Sequence, residues 1–245
     1  MYAVSGPGYL LYLLLLGRSI MTGQQRSYPF FFSYVVFAFL SDAVLLVLLL
    51  LRFEHYVALN WVSYMVETLL WLAIAWEVFR KTFPRESALR PVAGGVLIGV
   101  LFLLALLLYL SGPQPGIYLK AEFVRKIALS IVVWVLVVLV LARYYRVPMG
   151  RNIRGMAVGL LVLASSHIVN FAAVEIFPSF TPIWSFLVPI MFVLTLLIWT
   201  VALWSYAPNP KPGAPGKYMH GETLSHWEQR WAALGMAIRK VIKQH

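Results

Sequence analysis

Residues 29–51 read PFFFSYVVFAFLSDAVLLVLLLL, an apolar run that contains one charged side chain, Asp42. A helix across the hydrocarbon core of a bilayer needs about 20 mostly apolar residues, and this run supplies them. Six more runs of similar character are present, so the sequence predicts an all-α fold, a polytopic transmembrane helical bundle of about seven helices in residues 1–206. The predicted spans are residues 3–20, 29–51, 56–79, 91–110, 123–143, 155–177 and 182–206.

The composition agrees with a lipid environment. Of the 245 residues, 61% are hydrophobic and 12% are charged, whereas soluble domains carry about 25% charged residues. The chain has no cysteine, which excludes disulfides, Cys-ligated zinc and iron–sulfur clusters. The net charge of +11 is explained by membrane orientation, because the basic residues flank the apolar runs, and nucleic acid is not expected as a partner.

The distribution of Lys and Arg predicts the topology. Sixteen of the 20 basic residues fall in the loops after the first, third and fifth spans and in the C-terminal tail. Since basic loops stay in the cytoplasm, we expect the N-terminus outside and the C-terminus inside. The sequence therefore predicts a multi-pass protein of the inner (cytoplasmic) membrane, with its C-terminus in the cytoplasm.

The C-terminal tail divides into two predicted segments. Residues 207–221 are rich in Pro and Gly and are expected to form a linker. Residues 222–245 are expected to form a cytoplasmic amphipathic helix at the membrane interface, because apolar residues recur on one helical face. That face would dock on the bilayer or on another protein, and both alternatives need the same amphipathicity. Its central residues are Trp227, Trp231, Leu234 and Ile238.

Polar side chains near the membrane midplane are the first candidates for a functional site. A charge there costs at least ~2.5–3.5 kcal/mol, so such residues are usually functional or paired. They could form a proton relay, an ion site or a ligand pocket, or they could only hydrogen-bond neighbouring helices, at ~0.6 kcal/mol per pair. The candidates are Asp42, Glu67, Ser166, His167 and Asn170.

Two charged groups lie at the ends of predicted spans. On the outer side, Glu122 and Lys126 are four residues apart and are expected to pair, with Arg125 between them. Either this group anchors the helix at the interface, or Arg125 or Lys126 turns inward toward an acid or an anionic ligand. On the inner side, Glu77 is expected in a solvated cluster with Lys81.

Two stretches carry a resemblance. Residues 28–34, YPFFFSY, and 55–84, HYVALNWVSYMVETLLWLAIAWEVFRKTFP, resemble a group of uncharacterised bacterial seven-helix integral membrane proteins. The two stretches comprise 37 of the 245 residues. It implies the topology and gives Glu67 and Glu77 as characteristic positions of the group, but it implies no activity.

The sequence contains none of the common catalytic or nucleotide-binding motifs that would indicate an activity. The sequence contains no H-E-x-x-H, G-x-S-x-G or P-loop motif, and we expect no metal, no cofactor and no catalytic residue. The first hypothesis is a non-enzymatic integral membrane protein, a receptor-like sensor or an accessory subunit that works with another membrane protein or as a homo-oligomer. The alternative is a small transporter or proton-conducting bundle that uses Asp42, Glu67 and His167. A membrane enzyme acting on lipid is the third hypothesis.

Overall fold

The computed structural model describes residues 2–85, 87, 89–110, 118–177, 179 and 181–207. These residues contain helices and no strand, so the all-α prediction is confirmed for them. The helices are α1 (Tyr2–Met21), α2 (Gln24–Ser27), α3 (Pro29–Leu50), α4 (Tyr56–Thr82), α5 (Leu89–Leu110), α6 (Tyr118–Tyr144), α7 (Arg151–Ile176) and α8 (Thr181–Ala202).

Five of these helices are long and apolar enough to cross a membrane, and they are α3, α4, α5, α6 and α7. A further apolar helical segment, Phe186–Ala202, is shorter within the residues searched. Pro29 occupies the first turn of α3, where its missing N–H would have no partner in any case. The helical part of the membrane prediction is therefore confirmed, while the count of seven spans stays a prediction.

Helices α4 and α7 hold the bundle together. Helix α4 packs against α3, α6 and α7, and α7 also packs against α6 and α8. Helix α1 packs against α3 and α8, while α5 packs against α6. A side chain that points inward from α3, α4 or α7 therefore meets residues from several other helices.

The outward faces of the helices carry large apolar side chains. Ile98 and Phe102 on α5 are both 70% exposed, which is costly in water but favourable against lipid. The inward faces include aromatic residues with polar tips, and Tyr12, Tyr34, Trp71 and Trp199 are almost completely buried. The bundle thus exposes large apolar side chains on its outward faces, which is compatible with a membrane environment.

Two glycines allow α7 and α8 to approach closely. A Cβ atom at Gly159 would overlap the indole ring of Trp199, and one at Gly155 would overlap Ala202. The Trp199 N–H donates to the carbonyl of Met156, 3.3 Å away. Small residues at such positions let helix backbones meet in membranes, so these glycines set the α7–α8 spacing.

The end of α8 is fixed by polar side chains from three other helices. Arg18 of α1 donates to the Trp204 carbonyl at 2.8 Å and stacks on its ring at 4.7 Å. Gln24 of α2 donates to the Leu203 carbonyl at 2.8 Å. Asn152 of α7 accepts from the backbone N–H of Ala207 at 3.0 Å. These bonds satisfy backbone groups that the end of a helix leaves free.

The described residues belong to one compact unit, which comprises residues 1–210, and residues 211–245 lie outside the described residues. The predicted linker beyond Ala207 and the predicted amphipathic helix, with Trp227, Trp231, Leu234 and Ile238, also lie outside them and stay predictions.

Candidate functional site

Two acidic side chains on neighbouring helices lie within electrostatic range of each other. Asp42 lies on α3 and Glu67 lies near the middle of α4, and their carboxyl groups are close enough to interact electrostatically. A hydrogen bond between Ser41 and Ser63 joins the two helices one residue away from Asp42. The structure therefore brings together two of the predicted site residues, which are 25 positions apart in the numbering.

Three tyrosines surround this acidic pair. Tyr12 of α1 donates to Asp42 at 3.5 Å, a long hydrogen bond. Tyr34 of α3 and Tyr64 of α4 are both within electrostatic range of Glu67. We call these five residues, Tyr12, Tyr34, Asp42, Tyr64 and Glu67, the polar centre. Phenolic hydroxyls both donate and accept hydrogen bonds, so they can stabilise a carboxyl group in either protonation state.

No lysine or arginine of the described residues forms a salt bridge with either acid of the polar centre; the ion pair found among those residues joins Lys126 to Glu122. Two adjacent carboxylates repel each other, and a bound proton removes that repulsion. A bound cation would do the same. The part of the chain that the structure describes contains no cluster of three or more His, Asp or Glu residues that could hold a metal ion. The arrangement is thus chemically suited to bind and release a proton.

His167 lies beside the polar centre on α7. Its Nδ1 atom donates to the Leu163 carbonyl at 2.8 Å, because a carbonyl oxygen can only accept. In the neutral ring this leaves Nε2 as an acceptor. The ring packs against Trp71 at 4.9 Å and Tyr64 at 5.5 Å between centroids. His167 therefore contacts the polar centre through Tyr64, with its Nδ1–H held by the Leu163 carbonyl of its own helix and Nε2 as its basic nitrogen.

Ser166 and Asn170 are not joined to the polar centre by hydrogen bonds among the described residues. Ser166 donates to the Leu163 carbonyl at 2.7 Å. With Ser165 it lines an apolar groove of about 400 Å³ between α6, α7 and α8, whereas His167 faces α4. Asn170 is half-buried one turn beyond Ser166. Their predicted roles in a ligand site or relay stay predictions.

The outer charged group forms the pair that its spacing predicts. Lys126 lies 2.5 Å from Glu122, and their side chains are 23% and 11% exposed. Arg125, between them, is half-buried. The ion pair is confirmed, while the alternatives of an interfacial anchor and an inward-turned Arg125 both stay predictions.

Glu77 is not in a solvated cluster, and that expectation is wrong. Its side chain is 3% exposed and accepts a hydrogen bond from the backbone N–H of Phe31 at 2.9 Å. Phe31 lies in the first turn of α3, where N–H groups have no partner within the helix and the helix dipole favours a negative charge. Glu77 of α4 therefore caps α3, a contact that its spacing to Lys81 does not reveal.

Sequence reasoning missed the tyrosines of the polar centre. A signal for one of them was present, because Tyr64, Glu67 and Trp71 are spaced by three and four residues and so share one face of α4. Tyr12 and Tyr34 belong to helices α1 and α3, and their proximity to the acids depends on how the helices pack. Nothing in the local sequence gives it.

Comparison with known proteins does not assign this chain to a family. No family model, no curated protein and no solved structure matches the chain. The resemblance of residues 28–34 and 55–84 to bacterial seven-helix proteins stays a prediction, and the function has to be argued from the site itself.

Proposed function

We propose that this chain is a small non-enzymatic transporter or proton-conducting bundle in which Asp42 and Glu67 take up and release a proton within the membrane. The observation that carries the proposal is that two half-buried carboxyl groups on neighbouring helices lie within electrostatic range of each other, and neither forms a salt bridge with a lysine or arginine of the described residues. Ionisable residues at this depth are costly and usually mark an ion or proton path.

His167 supports a path longer than the acidic pair alone. A neutral histidine with a free acceptor nitrogen can receive a proton and pass it on, and the His167 ring contacts Tyr64 of the polar centre. We infer that the proton path runs through Asp42, Glu67 and His167. The tyrosine hydroxyls supply hydrogen bonds along it.

The proposal includes the finer topology. Helices α1 and α8 join the five span-capable helices to give seven spans, with the N-terminus outside and the C-terminus in the cytoplasm of a bacterial cell. Support comes from the 20-residue length of α1 and the 22-residue length of α8, and from the excess of Lys and Arg on the predicted inner side. The immediate partner of the bundle is the lipid bilayer.

Proton flux in liposomes tests this function. Purified protein is reconstituted with a pH-sensitive dye inside the vesicles, a potassium gradient is imposed, and valinomycin starts the flux. We expect the wild type to acidify or alkalinise the lumen faster than empty vesicles, and Glu67→Gln and Asp42→Asn to reduce the rate to the level of empty vesicles. Glu54→Gln is the matched control, because Glu54 is an exposed acid between α3 and α4.

The Glu54→Gln control shows whether a reduced flux is specific to the acidic pair or follows from removing any acidic side chain. If Glu54→Gln reduces the flux as strongly as Glu67→Gln, the acidic pair has no special role. If the wild type conducts no better than empty vesicles across the pH range in which it stays folded, proton conduction by this chain alone is contradicted.

A receptor-like sensor or accessory subunit is the second candidate. It is favoured by α5, which packs against α6 and exposes Ile98 and Phe102, since an apolar face at the edge of a bundle suits contact with another membrane protein or a second copy. Native mass spectrometry after gentle solubilisation tests it. A stable companion or homo-oligomer supports this candidate, and a monomer in every mild detergent contradicts it.

A further inference from the structure

Two arginines from different helices bind consecutive residues at the end of α8. Arg18 of α1 donates through Nε and Nη2 to the Trp204 carbonyl, at 3.1 and 2.8 Å. Arg151, the first residue of α7, donates through Nη2 to the hydroxyl and the carbonyl of Ser205. Because Cα atoms of consecutive residues are about 3.8 Å apart, these bonds bring two guanidinium groups to adjacent backbone positions.

Both guanidinium groups keep donors that these bonds do not use. The Nη1 group of each arginine takes part in none of them, so its N–H donors remain available. The Arg18 guanidinium also lies over the Trp204 ring, 4.7 Å from the ring centroid, which fixes its orientation. Arg151 is exposed and Arg18 is half-buried. Two oriented cations of this kind suit an anion that accepts several hydrogen bonds.

The positive charge at this end of the bundle is not balanced by an exposed acid of the described residues. The acid on this side is Glu77, which is 3% exposed and accepts from the Phe31 N–H. The cations that act on its carboxyl group are Lys81 and Arg80, and not the two arginines at the end of α8. The electrostatic complement of those two arginines therefore has to come from outside the described chain.

Exposed aromatic side chains place the two arginines at the membrane interface. Trp204 is 48% exposed and Tyr206 is 44% exposed, and both follow the end of α8. Trp and Tyr at the ends of membrane helices lie at the level of the lipid headgroups. The topology included in the proposed function puts this end on the cytoplasmic side, where anionic headgroups attract basic residues, and the inference rests on that topology.

We propose that Arg18 and Arg151 form a binding site for the headgroup of an anionic phospholipid. The lipid phosphate accepts hydrogen bonds from the Nη1 groups of both arginines. The exposed Trp204 ring packs beside the first carbons of the acyl chains, because an indole has an apolar body as well as a polar N–H. The bound lipid thus connects α1 and α7 at the end of α8, apart from the polar centre.

Native mass spectrometry of the full chain in a mild detergent tests the site. Delipidated protein is titrated with phosphatidylglycerol, which is anionic, or with phosphatidylcholine, which carries the same acyl chains and no net charge. We expect the first phosphatidylglycerol to bind several-fold more tightly than the first phosphatidylcholine, because the arginines add charge-assisted hydrogen bonds to an uncompensated anion. Equal affinity for the two lipids overturns the proposal.

Four variants make the test specific. Arg18→Gln and Arg151→Gln are each expected to weaken the first phosphatidylglycerol about five-fold, the effect of one basic residue near an anionic surface. Arg52→Gln is the charge control, because Arg52 is exposed between α3 and α4. Gln24→Ala is the structural control, because Gln24 also donates to the end of α8, at the Leu203 carbonyl, without a charge. The proposal is overturned if either arginine variant binds like the wild type, or if either control loses as much affinity as they do.

Inorganic phosphate distinguishes a lipid from a soluble anion. At the same concentration as the lipid, it is expected to leave phosphatidylglycerol binding unchanged, because it has no acyl chains to bury. Displacement of the lipid by inorganic phosphate overturns the assignment to a lipid.

The binding measurement is independent of proton flux and of orientation, since it is made in detergent. Preferential binding of phosphatidylglycerol without flux in liposomes contradicts the proposed function and leaves this site intact. Flux that depends on Glu67, without a preference for the anionic lipid, overturns this site and leaves the proposed function intact.

Discussion

The contact of Gly159 with Trp199 makes a quantitative prediction about stability. In Gly159→Ala the new methyl group overlaps the indole ring, and such overpacking costs about 1–3 kcal/mol. Displacing the ring also breaks its hydrogen bond to Met156, at ~0.6 kcal/mol for a bond within a membrane. The higher helix propensity of alanine relative to glycine offsets up to ~1 kcal/mol of this loss in stability. The net loss in the free energy of unfolding is therefore expected to be about 1–3 kcal/mol.

Gly99→Ala on α5 is the matched control. A Cβ atom at Gly99 meets nothing within 4 Å, so the same chemical change is expected to be neutral or to stabilise by up to ~1 kcal/mol. Equilibrium unfolding in mixed micelles with increasing SDS measures both variants, with tryptophan fluorescence as the probe. If Gly159→Ala proves as stable as Gly99→Ala, the close α7–α8 contact described above is incorrect.

Three further predictions concern residues outside the polar centre. Glu77→Ala removes the acceptor of the hydrogen bond from the Phe31 N–H, 2.9 Å away, and is expected to lower the free energy of unfolding by about 1.5–3 kcal/mol. Glu77→Gln keeps an acceptor oxygen and should lower it less, and thermal unfolding in nanodiscs measures both variants. The pKa of Tyr28 is raised to about 12, mainly by burial and further by the nearby Tyr206 and Glu77. Because the pKa of an unfolded tyrosine is about 10, the wild type should lose stability as the pH rises from about 10 to about 12. Thermal unfolding scans over this pH range should show a smaller loss for Tyr28→Phe. Arg18→Ala removes both the hydrogen bond and the ring contact to Trp204, so hydrogen exchange at the end of α8 should accelerate while the middle of α8 is unaffected.

Hydrophobic length predicted the helices well, because each span is a local property of the chain. The predicted start at residue 29 coincides with α3, which runs from Pro29 to Leu50, and the predicted start at 56 coincides with α4. The end of α4 was placed three residues early, at 79 instead of Thr82. The sequence there turns basic at Arg80 and Lys81, and polarity marks the end of an apolar run, whereas the helix continues as long as its backbone hydrogen bonds are satisfied.

The acidic residues of the polar centre could be predicted from the sequence, but its tyrosines and the role of Glu77 could not. Asp42 and Glu67 stand out because a charge in an apolar run is costly wherever the helices lie. Tyr34 carries no such signal, since a tyrosine near the end of a membrane helix is common at the interface, and its burial depends on contact with α4 and α8. Glu77 was misplaced because its neighbour in sequence, Lys81, offers a plausible local ion pair, while its acceptor role depends on Phe31, 46 residues away.

Proton binding by Asp42 and Glu67 is tested most directly by infrared difference spectroscopy of the protein in lipid bilayers. Spectra of the full chain are compared between acidic and alkaline buffer, and the carboxylic C=O stretching region is examined. We expect a protonation band that disappears in Glu67→Gln and shifts in Asp42→Asn, because the two groups lie within electrostatic range of each other. Identical spectra for the wild type and Glu67→Gln would contradict the account.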